Sequence, residues 1–421
     1  MYKDKKTIVL MLFLMMIVSF LDRVNIATAG PMMMKALALG PQQFGMVLGA
    51  FGVGYAIIQI PGGYLADRFG PKPVIVTCIL LWSCLTFSTG LATTIGALIA
   101  VRLVFGMCEG AAMPAFYRQI GDTFEAKERS RATSIAGSGI AFGPALAAPT
   151  VSWILGKSSW EYVFFLTAIP GFVLALAMLL VLPKPRAGAA AEAVGSHGGP
   201  IAQSGDDWKS ILSSGKAWCL LIGWMAFNIG FWGYLGWMPS FLVLDRHVNL
   251  KELGMGASIP YLCGAAGMLI GGALGSTSMA NRRGLLMAIG MAGTAVSLFV
   301  TFEVKTLVAT IAWLSVAAVF LYGVVGPFGG LALDLAPERL RGSFMGFVYT
   351  GGQIGGAVSP VIVGYLVKES GAFAAGFAFI EAALLVSAAA FAAVWRLQAA
   401  GSRGRVPAQP SGTVGYGKKS S

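Results

Sequence analysis

The alternation of apolar and polar positions resolves the chain into long apolar runs separated by short breaks rich in glycine or charge. About 20 apolar residues in a row is the length of helix that crosses a hydrocarbon core of ~30 Å. Twelve such spans are predicted, near residues 8–29, 44–66, 73–94, 96–118, 133–156, 161–182, 217–243, 256–280, 284–303, 306–332, 343–367 and 372–397. Between the sixth and seventh, Pro183 to Gly215 is rich in Ala, Gly, Ser and Pro and reads as a linker. Within it, Asp206 to Leu212 suits a short interfacial helix anchored by Trp208. Beyond Leu397 a Gly-, Ser- and Lys-containing tail reads as disordered. The expected fold class is an all-α membrane protein of twelve transmembrane helices in two pseudo-symmetric bundles. Its parts are an N-terminal six-helix bundle (1–183), a cytoplasmic linker (184–216), a C-terminal six-helix bundle (217–397) and a cytoplasmic tail (398–421).

An internal repeat supports the division. Gly62-Gly63 recurs as Gly271-Gly272, and Glu128-Arg129-Ser130-Arg131 recurs as Glu338-Arg339-Leu340-Arg341, at offsets of 209 and 210 residues. Two features agreeing to within one residue suggest a duplicated six-helix unit, an arrangement suited to one half rocking against the other about a site between them. Glycine pairs four apart, such as Gly45/Gly49, Gly106/Gly110 and Gly352/Gly356, let helices approach closely.

Composition changes the picture little, but charge orients it. The chain is 56% hydrophobic and 11% charged, with a net charge of +12. The basic excess suggests nucleic acid only until it is mapped. Of the 30 Lys and Arg, 22 fall in segments predicted on the side of the termini, 6 on the other side, and Arg23 and Arg102 within spans. Such a bias places both termini in the cytoplasm, so the basic charge sets topology and no nucleic-acid partner is expected. All five cysteines fall within spans and are expected as free buried thiols. His197 and His247 make no metal spacing, and no nucleophile–base pair or phosphate-cradling loop points to an enzyme or a cofactor. Ala27-Thr28-Ala29 fits a small-residue cleavage site, but Asp22, Arg23 and Asn25 just before it argue against a signal peptide.

The candidate chemistry lies where charge interrupts the apolar runs. A charge at membrane depth costs at least ~2.5–3.5 kcal/mol, so it faces protein or a wet cavity. Arg102 and Glu109 are seven apart, two helical turns, and so share a face. Asp22 and Arg23 are adjacent and diverge by ~100°, so they cannot serve one partner equally. The residues from Phe227 to Pro239 are crowded with aromatics. They suit either lipid contact or a gating helix, bent at Pro239, whose rings close over a ligand. Asn228 and Tyr234 on that helix, and Gln59, Tyr349, Thr350 and Gln353 elsewhere, can hydrogen-bond a ligand.

Taken together, these residues resemble the major facilitator superfamily over nearly the whole chain outside the linker and tail. The stretch from Gly62 to Lys72, GGYLADRFGPK, is similar to its loop between helices two and three. By that resemblance Asp67 caps a helix of the other half and helps hold an outward-open state. Asp67, Arg68, Arg129 and Arg341 then read as gating or structural rather than substrate-binding. Phe20-Leu21-Asp22-Arg23-Val24-Asn25, Arg102, Gly106-Met107-Cys108-Glu109-Gly110, Pro114 and Glu128-Arg129 further resemble the anion:cation symporter family. Its bacterial members include permeases for galactonate, glucarate, hexuronates and phthalate. The resemblance implies Asp22 and Glu109 as proton-linked acids and Arg23, Tyr55 and Arg102 as substrate-side positions. Two positions depart from the pattern. Ser276 stands where an Asp is usual after helix eight, and Gln353 where sugar-acid members tend to carry Asn.

Asp22, Glu109, Arg23 and Arg102 sum to zero formal charge. A carboxylate that engages an arginine leaves the acidic partner less compensated and favours its protonation, and linkage makes that preference mutual. The expectation is a proton-coupled transporter in the inner membrane, importing an organic anion (sugar acid, aromatic or other carboxylate) by alternating access, as a monomer. Gln59, Asn228, Tyr234 and Gln353 complete the expected substrate set. An exporter or exchanger, and a transporter-like membrane sensor, are the alternatives, and structural ion pairing is the competing reading of Arg102 and Glu109.

Overall fold

A computed structural model describes residues 5–182, 209, 211–336 and 341–403. The N-terminal helices are Lys5–Ala36 (α1), Pro41–Phe69 (α2), Pro71–Thr89 (α3), Ile95–Thr123 (α4), Ala126–Gly137 (α5), Gly139–Leu155 (α6) and Trp160–Val181 (α7). The C-terminal helices are Gly215–Leu244 (α8), Leu250–Ser276 (α9), Arg283–Glu303 (α10), Leu307–Gly323 (α11), Val325–Leu335 (α12), Arg341–Ser370 (α13) and Phe373–Arg403 (α14).

All twelve expected spans are helical, and two differ in detail. The span at 133–156 is broken where Ser138 stands between Gly137 and Gly139, giving α5 and α6. The span at 306–332 is broken at Gly323-Val324, giving α11 and α12. Glycine has the weakest hold on helical backbone of the non-proline residues, which places both breaks. Length and apolar character alone select ten spans among the described residues and pass over α2 and α13. Those two glycine-rich helices pack on each other between the halves. α8 continues through Pro239 without interruption. Helix α14 runs to Arg403, six residues into the expected tail, and Trp208 lies outside the described residues.

The duplication is visible in which helices touch. α1 packs on α6 and α7 as α8 packs on α13 and α14; α2 on α4 as α9 on α11; α3 on α7 as α10 on α14. The two halves meet through α2 on α13 and, by the same symmetry, α9 on α6, with α1 on α8 at the centre. Close approach explains one glycine in each kind of contact. A Cβ at Gly62 would sit 2.6 Å from the Cα of Ala111 within the N-terminal half, and one at Gly52 would sit 2.7 Å from the Cα of Ala357 across the interface. Large apolar side chains such as Leu180, Leu269, Phe299 and Val308 are exposed on the outside, as lipid contact requires. Cys84 is among the exposed residues, a correction to the expectation that every thiol is buried; all five are unpaired.

The halves are closed at the end away from the termini. There α2 lies against α13, Lys368 donates to Gln42 Oε1 at 3.0 Å, and Gly254 of α9 abuts Pro149 and Ser152 of α6. Toward the end carrying the termini, Tyr64, Tyr117 and Tyr349 are exposed.

Candidate functional site

Between the halves lies a cavity of about 180 Å³. Its N-terminal wall carries Arg23 from α1, Tyr55 from α2 and Arg102 from α4; its C-terminal wall carries Asn228 and an aromatic face from α8, with Tyr349 and Gln353 from α13. Five of the expected substrate residues, Arg23, Tyr55, Arg102, Asn228 and Gln353, therefore come together. Two do not line it. Tyr234 points into the C-terminal bundle, where its hydroxyl donates to the Leu314 carbonyl at 3.1 Å. Gln59 lies one turn beyond Tyr55 on α2, outside the cavity lining.

The four charges are all withdrawn from solvent: Asp22 and Glu109 are 1% exposed, Arg102 4% and Arg23 8%. Arg23 Nε donates to Glu109 Oε2 at 2.5 Å, a link between α1 and α4. The Arg23 guanidinium lies over the rings of Phe20, Phe51, Tyr55 and Trp232, with its carbon 4.5–5.5 Å from their centroids. Such caging favours a guanidinium, whose flat, weakly hydrated faces stack on aromatics. Arg102 differs. Its guanidinium rests on Phe105 and Phe51 at 4.8 and 5.2 Å. Its Nε has no hydrogen-bond partner, and the side chain makes no ion pair among the described residues. A buried arginine at a cavity wall with unused donors is an anion site awaiting its ligand.

Asp22 is set apart from this pair, as its 100° separation from Arg23 requires. Its Oδ1 accepts from Asn25 Nδ2 at 3.4 Å, and Asn25 donates in turn to Thr167 Oγ1 of α7 at 3.0 Å. Asp22 Oδ2 and Glu109 Oε1 are buried without hydrogen-bond partners. Neither acid touches the cavity directly: Glu109 stands behind Arg23, and Asp22 lies on the far side of α1.

The facing wall is aromatic. Trp224 stacks on Phe328 and Phe227, and Phe227 on Phe231, with the last two pairs 4.6 and 5.6 Å apart between centroids. Asn228 donates one amide hydrogen to the Trp224 carbonyl at 2.8 Å. Trp224, Phe51 and Phe20 were not singled out from the sequence. The signal for Trp224 was its helical spacing, since 224, 228, 231 and 235 fall on one face of α8. Phe20 and Phe51 lie one turn from Arg23 and Tyr55 in the same way. Of the gating candidates, Arg68 is exposed and its Nη1 donates to the Tyr64 hydroxyl at 3.3 Å. The side chains of Asp67, Arg129 and Arg341 lie outside the described residues.

Two pseudo-symmetric six-helix bundles around a central, charged cavity closed at one end define a membrane transporter rather than an enzyme. The sequence pattern of the Major Facilitator Superfamily matches residues 12–360 and 242–418, and the chain belongs to that family. It is 30% identical over 404 residues to the probable sulfoacetate transporter SauU of Cupriavidus necator, covering 92% of this chain and 93% of that one. It is 31% identical over 404 residues to the probable galactarate/D-glucarate transporter GudP of Bacillus subtilis, covering 89% and 88%. The fold is similar to the crystal structure of a bacterial homolog of the human lysosomal transporter Spinster in an inward-facing, occupied conformation. The TM-score is 0.73 at 18% identity, over 96% of this chain and 99% of that one.

Proposed function

We propose that the protein is a proton-coupled importer of an organic anion, working by alternating access as a monomer in the inner membrane with both termini cytoplasmic. The observation that carries this reading is the contrast between the two cavity arginines: Arg23 is held by Glu109, and Arg102 has no direct partner. A carboxylate fits the planar fork of Arg102 and, once seated, competes with Glu109 for the nearby positive charge of Arg23. Glu109, less compensated, takes up a proton more readily, and the protonated acid holds Arg23 less tightly against cargo. Each ligand thereby favours the other, which is the thermodynamic content of symport. Asp22 serves as the second protonatable group, on the far side of α1.

The names of the relatives, transporters of sulfoacetate and of galactarate or D-glucarate, support an organic anion as cargo. The basic segments on the side of the termini support the orientation. On that orientation the closed end is the outer one and the cavity leads to the cytoplasm, the arrangement that releases cargo inside. Arg68, with Asp67, Arg129 and Arg341, gates the cytoplasmic end.

Purified protein in liposomes, with labelled carboxylates outside, tests this. Uptake is expected to rise as the outside is acidified relative to the lumen and to alkalinise the outer medium. Asp22→Asn combined with Glu109→Gln is expected to abolish pH-driven accumulation while leaving exchange of cargo down its own gradient. Unchanged accumulation in that double variant would sink the proposal.

A further inference from the structure

We infer that the cargo is an aromatic monocarboxylate, an inference that rests on the organic-anion reading and narrows it. Three observations lead there. The first is charge: of the two cavity arginines, one is already paired with Glu109 at 2.5 Å and caged by four rings, so a single guanidinium, that of Arg102, is uncommitted. A second carboxylate on the cargo would be desolvated without a cation to meet it, the costly case for a buried charge. The second is the wall opposite. Trp224, Phe227, Phe231 and Trp232 give α8 a continuous aromatic face toward the cavity. A ring held there gains stacking or edge contact as well as apolar burial.

The third is the supply of hydrogen bonds. The C-terminal wall offers Asn228, with one amide hydrogen already given to Trp224, together with Gln353 and the Tyr349 hydroxyl. Each hydroxyl of a polyol acid brings a donor and two lone pairs. Three side chains satisfy one or two ring substituents, not the several adjacent hydroxyls of a sugar diacid, and unsatisfied hydroxyls in a dry site oppose binding. Size agrees: a cavity of about 180 Å³ lies below the ~300–1,000 Å³ of ordinary drug-sized pockets and suits one ring with a carboxylate. The cargo carboxylate sits on Arg102 with its ring against α8, so that it bridges the two halves.

Four probes separate charge from body: 4-hydroxybenzoate, phthalate, D-galactonate and D-glucarate. Binding to the purified full-length protein is read by quenching of tryptophan fluorescence or by competition, and uptake by liposomes as above. The expected result is an affinity for 4-hydroxybenzoate about 10- to 100-fold above each of the other three. Trp232→Leu is expected to lower that affinity about 10-fold with little change for galactonate. Galactonate or glucarate bound as tightly as 4-hydroxybenzoate, or no binding of any probe, overturns the inference. Glucarate carried by a proton gradient in preference to 4-hydroxybenzoate overturns it and leaves the organic-anion reading standing. Selective binding of 4-hydroxybenzoate without uptake supports the inference and removes the transport reading.

Discussion

The two walls of the cavity descend from one duplicated framework and have taken opposite chemistry. The helix pairs that touch in the N-terminal half touch again in the C-terminal half, and Gly62 and Gly271 take corresponding places. At the same offset of 209 residues, however, Phe231 and Trp232 stand where the N-terminal half has Asp22 and Arg23. The two positions even meet, since the Arg23 guanidinium lies 5.5 Å from the Trp232 ring centroid. Around the positions that correspond to Arg102 and Glu109, the stretch from Ile311 to Val319 holds no charge. The C-terminal bundle buries tyrosines instead, and the hydroxyls of Tyr261 and Tyr322 have no hydrogen-bond partner there. Backbone packing needs small residues at matching places in both halves, whereas a coupled site needs its charges within reach of one another. Gathering them in one bundle keeps their spacing unchanged while the bundles rock.

The largest effect expected from that asymmetry is on stability. Glu109→Gln leaves Arg23 buried beside no carboxylate and is expected to cost about 3–5 kcal/mol, read as a fall in melting temperature in detergent. Replacing both partners, Arg23→Leu with Glu109→Leu, is expected to recover most of that while transporting nothing, because an apolar pair leaves no buried charge. A Glu109→Gln protein as stable as the wild type would mean that Arg23 finds compensation elsewhere.

A middle-sized effect concerns how the halves meet. Gly52→Val forces side-chain atoms into Ala357 of the other half and is expected to disfavour this closed contact by about 1–3 kcal/mol. A thiol reagent applied from the outside to a cysteine placed on α2 facing α13 should then react several-fold faster. No change in labelling would indicate that the contact at Ala357 does not hold this end shut. The smallest effect is expected on the C-terminal wall, where Asn228→Ala removes a neutral hydrogen bond worth about 1 kcal/mol. Apparent substrate affinity should fall roughly five-fold, with proton coupling intact, as measured by uptake across a range of pH. Loss of coupling in that variant would erase the division of labour between the walls.

The spans, the two-fold repeat and the burial of the four charges were legible in the sequence, because each follows from a rule that acts along one helix. An apolar run of sufficient length must cross, a charge within it must face protein, and seven residues on a helix return to one face. Residues 102 and 109 on α4, and the divergence of Asp22 from Arg23, follow from that geometry alone. The structure decided what no single helix specifies: that Glu109 joins Arg23 rather than Arg102, that Tyr234 turns to Leu314, and that α8 presents its aromatics to the cavity rather than to lipid. Helical periodicity sets which way a side chain leaves its own axis. Which neighbour it then meets depends on how separate helices are rotated and stacked, a choice made by packing between segments tens to hundreds of residues apart.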